Sequence, residues 1–141
     1  MKISQYKKWR FLIKKRSAIK LSAATVVVKN DKGEILFVEP VYNRGHFQLP
    51  GGFLDGGEGP EEAVVREVQE ELGTHLHLGK LLSVDHVNDI LILLYEGELD
   101  SHEITLDPRE LVSFKYLSVS EIESSEVHPL VIQRLKKANI I

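Results

Sequence analysis

The sequence predicts an α/β sandwich built on a mixed β-sheet. Three observations carry that expectation. Short β-branched, apolar runs recur along the chain. Two segments carry apolar residues at spacings of three and four, the helical period. Strands precede, separate and follow those two helices. With 141 residues, 43% of them hydrophobic and 28% charged, the chain is expected to form one domain with a substantial core. That domain is taken as residues 21–141, behind a basic segment, residues 1–20.

Each element has its own reason. Ala23 to Val28 is an uninterrupted apolar run and reads as a buried strand. Asn30-Asp31-Lys32-Gly33 is a turn signal, and Glu34 to Glu39 reads as the returning strand of a hairpin, ended by Pro40. Tyr42 to Gln48 reads as a loop or short strand leading into Leu49-Pro50-Gly51-Gly52. The first helix follows. Pro60 suits its first turn, where its missing N–H would be unpaired anyway. Glu61 and Glu62 suit the positive end of the helix dipole. Gly73 suits the stop, and Val65, Val68 and Leu72 form the expected core stripe. Lys80 to Val87 and Ile90 to Leu99 read as strands around an Asn88-Asp89 turn. Val112 to Leu117 reads as another, with Val112, Phe114 and Tyr116 alternating. His128 and Pro129 open a last helix with the stripe Val131, Leu135, Ala138.

Composition removes several chemistries. The chain has no cysteine, so disulfides, thiolate metal sites and cysteine nucleophiles are excluded, and a cytoplasmic location is expected. No apolar run approaches the ~20 residues that span a bilayer, so no membrane partner is expected. The net charge of -3 hides an asymmetry: residues 1–20 hold eight of the 18 Lys/Arg and none of the 21 Asp/Glu. Such an arm suits nucleic acid or an anionic substrate, or is a solvated leader, or packs on the acidic body of its own or a partner subunit through Tyr6, Trp9, Phe11, Leu12 and Ile13.

The chemistry concentrates in residues 51–73. At about 100° per helical residue, with Glu67 at 0°, Glu71 falls near +40° and Glu70 near -60°, while Val65, Val68 and Leu72 lie near +100° to +160°. Three carboxylates on one arc repel one another, and a hard dication, which prefers oxygen ligands, relieves that repulsion. Ahead of the helix, Gly51, Gly52, Gly56 and Gly57 let backbone approach a ligand closely.

The spacing is specific. Gly52 is followed after five residues by Glu58. After seven more comes Arg66-Glu67-Val68-Gln69-Glu70-Glu71-Leu72-Gly73. This run resembles the Nudix hydrolase signature throughout, with one departure at Thr74, where the family carries an aliphatic residue. The resemblance extends over about residues 20 to 140 and implies the family's α/β/α sandwich.

By that resemblance, the reaction is metal-dependent hydrolysis of a nucleoside diphosphate linked to a group X, giving a nucleoside monophosphate and phospho-X. Mg²⁺ or Mn²⁺ is expected on Glu67, Glu70, Glu71 and the Gly51 carbonyl, with Glu110 as a further catalytic carboxylate or base. Gly52, Glu58, Arg66 and Gly73 are expected to support the signature. Tyr42, Phe47, His86 and Asp89 are taken as substrate-binding. Markers of the coenzyme A, ADP-ribose, dinucleoside polyphosphate and NADH subgroups do not occur, which favours a nucleoside triphosphate or nucleotide sugar. A homodimer is compatible with the family. The alternatives are an RNA 5′-end pyrophosphohydrolase using the basic arm, with nucleic acid less favoured than a small nucleotide, and a non-catalytic nucleotide-binding module.

Overall fold

The computed structural model describes residues 21–141 and Gln5; the basic arm lies outside the described residues. The strands are β1 (Leu21–Val28), β2 (Ile35–Pro40), β3 (Gly51–Phe53), β4 (Leu76–Val87), β5 (Ile90–Leu99) and β6 (Leu111–Leu117). The helices are α1 (Pro60–Leu72), α2 (Val119–Ile122) and α3 (Pro129–Lys137), with a 3₁₀ turn at Val41–Asn43. The main sheet runs β3-β1-β5-β4. In it β1 and β5 are parallel and the other pairs antiparallel, so the sheet is mixed as expected.

β2 departs from the expected hairpin. The Asn30 turn forms, with Gly33 at φ 76°, but only Lys29 and Ile35 bridge across it. β2 pairs with β6 in a second sheet instead. Both edges of β1 are already taken by β3 and β5, so no edge remains for β2. Its run Ile35-Leu36-Phe37-Val38 is buried throughout. Leu36 and Val38 join a core with Val26, Val64, Val68 and Leu72 under α1. Ile35 and Phe37 face the other way, into a core with Ile122, Val131 and Leu135 under α2 and α3. Helices thus cover both faces, the α/β/α arrangement.

Three local expectations are corrected. On α1 the buried residues are Ala63, Val64, Val68, Glu71 and Leu72, while Val65 is only partly buried. The covered arc therefore runs from about -40° to +140° on the same wheel, because the acidic side packs on β3, where Glu71 accepts the Gly51 N–H and Glu67 fills the space at Gly52. On β6 the alternating Val112 and Phe114 are exposed and the end residues Leu111 and Leu117 are buried. A short helix not foreseen, α2, is held by a capping box in which Ser118 and Glu121 satisfy each other's backbone N–H groups. Among the described residues no helix is long and apolar enough to cross a membrane.

Candidate active site

α1 begins at Pro60 and stops at Gly73, which takes the left-handed conformation at φ 66° and donates its N–H to the Gln69 carbonyl. That places one acidic turn of helix against β3. Gly51 sits at φ 136°, and a Cβ there would lie 2.2 Å from the Ala24 carbonyl oxygen, so only glycine pairs with β1 at this point. At Gly52 a Cβ would lie 2.6 Å from the Glu67 carboxyl carbon. Gly52 leaves the space that the Glu67 carboxylate fills.

Arg66 ties the loop to the helix. Its Nε donates to Glu58 Oε2 at 2.8 Å and its Nη2 to Glu58 Oε1 at 3.0 Å, a two-pronged pair. Nη1 reaches Glu67 Oε1 at 3.2 Å and Glu70 Oε2 at 3.2 Å, and Nη2 also donates to the Phe53 carbonyl at 3.3 Å. Glu58 accepts the Asp55 N–H as well, and the Arg66 bond chiefly holds its carboxyl down to about 2.

The acids separate by environment. Glu70 is exposed, while Glu71, 5% exposed, lies in the middle of the covered arc. Burial, then the charge of Glu67, pushes Glu71 up to about 9, against the pull of the Gly51 N–H that Oε1 accepts at 3.2 Å. Burial also raises Glu67, with Arg66 opposing. Glu110 arrives from the loop before β6. The Thr105 N–H donates to the Leu72 carbonyl and the Asp107 N–H to the Glu71 carbonyl, which fixes this loop on the end of α1. An oxygen of each of Glu67, Glu70 and Glu110 lies within 4.8 Å of the others. All-oxygen donors at that spacing, with no sulfur or imidazole among them, fit a hard dication such as Mg²⁺ or Mn²⁺.

Of the residues expected to hold metal, Gly51, Glu67, Glu70 and Glu71, two belong to the converging group. Glu110 converges with Glu67 and Glu70, and Glu71 sits beneath them on the Gly51 N–H. Thr74 is buried and its hydroxyl accepts the Ser101 N–H, a packing role after the helix.

A groove of about 240 Å³ runs from Gly51 and Gly52 to His128 and Arg134 of α3, with the exposed Tyr42 and Phe53 along it. Phe47, expected to bind substrate, is instead a core residue with Lys115 Nζ 4.0 Å above its ring. His86 is exposed on β4 and Asp89 forms the β4–β5 turn at φ 63°. Neither lines the groove, although Ile90 and Ile92 just beyond them do. A larger cavity of about 780 Å³, lined in part by His77, Glu96 and His102, contains none of the signature acids. Sequence reasoning missed Arg134; the available signal was a cation placed between Val131 and Leu135 of an apolar stripe.

Comparison with known proteins gives the family. The chain matches the NUDIX domain profile over residues 20–136. The NAD-capped RNA hydrolase NudC of Photorhabdus laumondii is 27% identical over 118 residues, covering 82% of this chain and 46% of that protein. The 8-oxo-dGTP diphosphatase of Escherichia coli is 39% identical over 57 residues, covering 38% of this chain and 44% of that protein. The chain thus spans less than half the length of these relatives. Among solved structures, the MutT Nudix hydrolase of Burkholderia pseudomallei superimposes with a TM-score of 0.72 at 25% identity, over 82% of this chain and 95% of that one. A signature in register, a mixed sheet between helices and a profile match spanning most of its length make this chain a member of the Nudix family.

Proposed function

We propose that the chain hydrolyses the diphosphate linkage of a nucleoside diphosphate joined to a group X, releasing a nucleoside monophosphate and phospho-X. A nucleoside triphosphate or a nucleotide sugar is the substrate class. The observation that carries this reading is the convergence of Glu67, Glu70 and Glu110 oxygens within 4.8 Å, with the Glu67 carboxylate against Gly52, a residue that also lines the groove.

Glu67, Glu70 and Glu110, with Glu71 and the Gly51 carbonyl, would hold Mg²⁺ or Mn²⁺. Such an ion neutralises phosphate oxygens and lowers the pKa of a bound water. The chain's own groups do the rest. Arg66 fixes the orientation of Glu67 and Glu70 from one side, and Glu58 fixes Arg66. Glu67 or Glu110 takes the proton of the attacking water; the raised pKa of Glu67 brings it closer to that task at neutral pH. The water oxygen bonds to phosphorus as the bond to the bridging oxygen breaks, and the bridging oxygen leaves with its electron pair.

A panel of nucleoside triphosphates, nucleotide sugars, dinucleotides and 5′-capped RNA, assayed with Mg²⁺ or Mn²⁺ and scored by products, tests the proposal. Turnover of a small nucleotide, abolished by Glu70→Gln with the fold intact, is expected. No turnover of any member sinks it. Turnover of RNA alone, falling steeply with salt and lost on removing residues 1–18, supports the polymer reading instead. The presence of all three signature glutamates argues against a binding-only module, in which such acids have no task.

A further inference from the structure

Glu67 and Glu70 are braced by Arg66 and Glu58. Glu110, the third converging acid, is braced from elsewhere. It sits on the loop that enters β6. One flank of that loop is fixed on α1 by the Thr105 and Asp107 N–H groups. The other flank meets the end of β2, where the strand ladder is broken. Pro40 has no N–H to donate. The β2–β6 register also shifts between Glu39 and Pro40, which leaves Val112 opposite no residue of β2. A bulge of this kind disrupts the local pairing, and bulges are frequent beside active sites.

The Glu39 side chain bonds across this break. Its Oε2 accepts the Gly45 N–H at 2.8 Å and its Oε1 accepts the Ser113 hydroxyl at 2.8 Å. Ser113 lies in β6, just beyond Glu110. Gly45 ends the loop that begins at Val41, and the Val41 N–H donates to the Glu110 carbonyl at 2.9 Å. One carboxylate therefore ties β6 to the 41–45 loop, and both of these flank the backbone bond that ends on Glu110. The Gly45 N–H, then the Ser113 hydroxyl, hold the Glu39 carboxyl below its ordinary range. It is ionised at neutral pH, and both bonds are charge-assisted. Glu39, Gly45 and Ser113 all lie outside residues 51–73, so this brace is independent of the signature.

We infer that Glu39 is a positioning residue that holds Glu110 in the acid cluster, acting through Ser113 and the 41–45 loop from outside both the cluster and the groove. This rests on the cluster being the metal centre of the proposed reaction, and the test is chosen to separate the two. Groups that orient a metal ligand from behind cost about 10- to 100-fold in metal affinity or activity when removed.

Titration of the full chain with Mn²⁺, followed by the electron paramagnetic resonance signal of the free ion, needs no substrate. Glu39→Ala is expected to weaken Mn²⁺ binding by about tenfold or more and to lower kcat. Glu39→Gln keeps a carbonyl for the Gly45 N–H and offers its amide to the Ser113 hydroxyl, so it should recover most of the loss. In a Glu110→Gln chain, adding Glu39→Ala should weaken binding no further, a non-additivity that a merely structural role would not produce. Where Glu39→Ala does not melt cooperatively, Ser113→Ala removes one of the two bonds and should weaken binding in the same direction. Mn²⁺ binding at the parent's strength by Glu39→Ala, or by Ser113→Ala in its place, overturns the inference. So does an equal loss with and without Glu110→Gln. A parent chain that binds Mn²⁺ and hydrolyses nothing sinks the proposed reaction, and the titration still decides the brace. A chain that hydrolyses a nucleotide while every variant binds Mn²⁺ as the parent does gives the reverse. A parent that binds no Mn²⁺ overturns both.

Discussion

The acid cluster and the groove that begins at Gly51 and Gly52 are built by different means. In the cluster Glu67, Glu70 and Glu71 come from a single helical turn, and Arg66, Glu58 and Gly52 brace them from within the same short stretch. In the groove Arg134 and His128 arrive from the far end of the chain, and Asp85 of β4 is the ion-pair partner of Arg134. In the first, Glu67 and Glu70 follow from helical periodicity, and Glu110 alone of the three converging acids is brought in by a distant loop. The second exists only after the sheet has formed and α3 has packed on it. Like charges are held together mainly where backbone order is local, whereas the groove depends on tertiary assembly.

Substitutions can break that contrast at the acidic end, and Glu67→Gln should do so most strongly. It removes one of three converging carboxylates, and steady-state kinetics should show kcat falling by about 10³-fold, within the range for loss of a positioned acid–base group. The melting temperature should fall little. A fall of less than tenfold would mean that Glu67 is not part of the reacting centre.

Gly52→Ala probes the bracing. Its new Cβ would meet the Glu67 carboxylate at 2.6 to 2.9 Å, so that group must shift. A displacement of about 1 Å at a catalytic group costs up to about 10²-fold in rate. Circular dichroism should show the fold retained. Unchanged kinetics would show that Glu67 tolerates being moved.

Glu71→Gln sharpens the comparison by stability. A carboxyl held near 9 in the folded chain and near 4.5 when unfolded keeps its proton on folding. The unfolded state therefore binds fewer protons between those values, and stability falls as pH rises through that window. Without divalent cation, Glu71→Gln should melt a few °C above the parent at pH 8, and the gap should close toward pH 5. A parent whose melting temperature rises across that window would refute the burial argument.

Legibility in the sequence followed the same division. Pro60, Gly73 and the acid spacing set the bounds of α1, and the Asn88-Asp89 turn was read correctly because both residues take positive φ. The helix wheel did not show which flank of α1 would be covered. Glu71 shares an arc with Glu67 in any straight helix, but its burial comes with packing against β3, where it accepts the Gly51 N–H from 20 residues back. β3 was missed because Gly51-Gly52-Phe53 carries no apolar alternation; its pairing with β1 depends on a glycine that avoids the Ala24 carbonyl. The groove was largely invisible for the same reason. Of its expected residues Tyr42 lines it, whereas Phe47 packs inward, and nothing in local spacing separates those two aromatics. The capping box at Ser118 and Glu121 was readable and shows that short motifs go unnoticed when no long apolar run follows them.

β2 carries a consequence for how the molecule comes apart. Its four apolar side chains point alternately into the two hydrophobic layers, so one strand is a shared wall between the half that bears the acids and the half that bears the cation. Neither half can melt without withdrawing contacts from the other. Amide exchange under both helices should then proceed by a common global opening, and the acid cluster gains the protection of every contact that α3 makes.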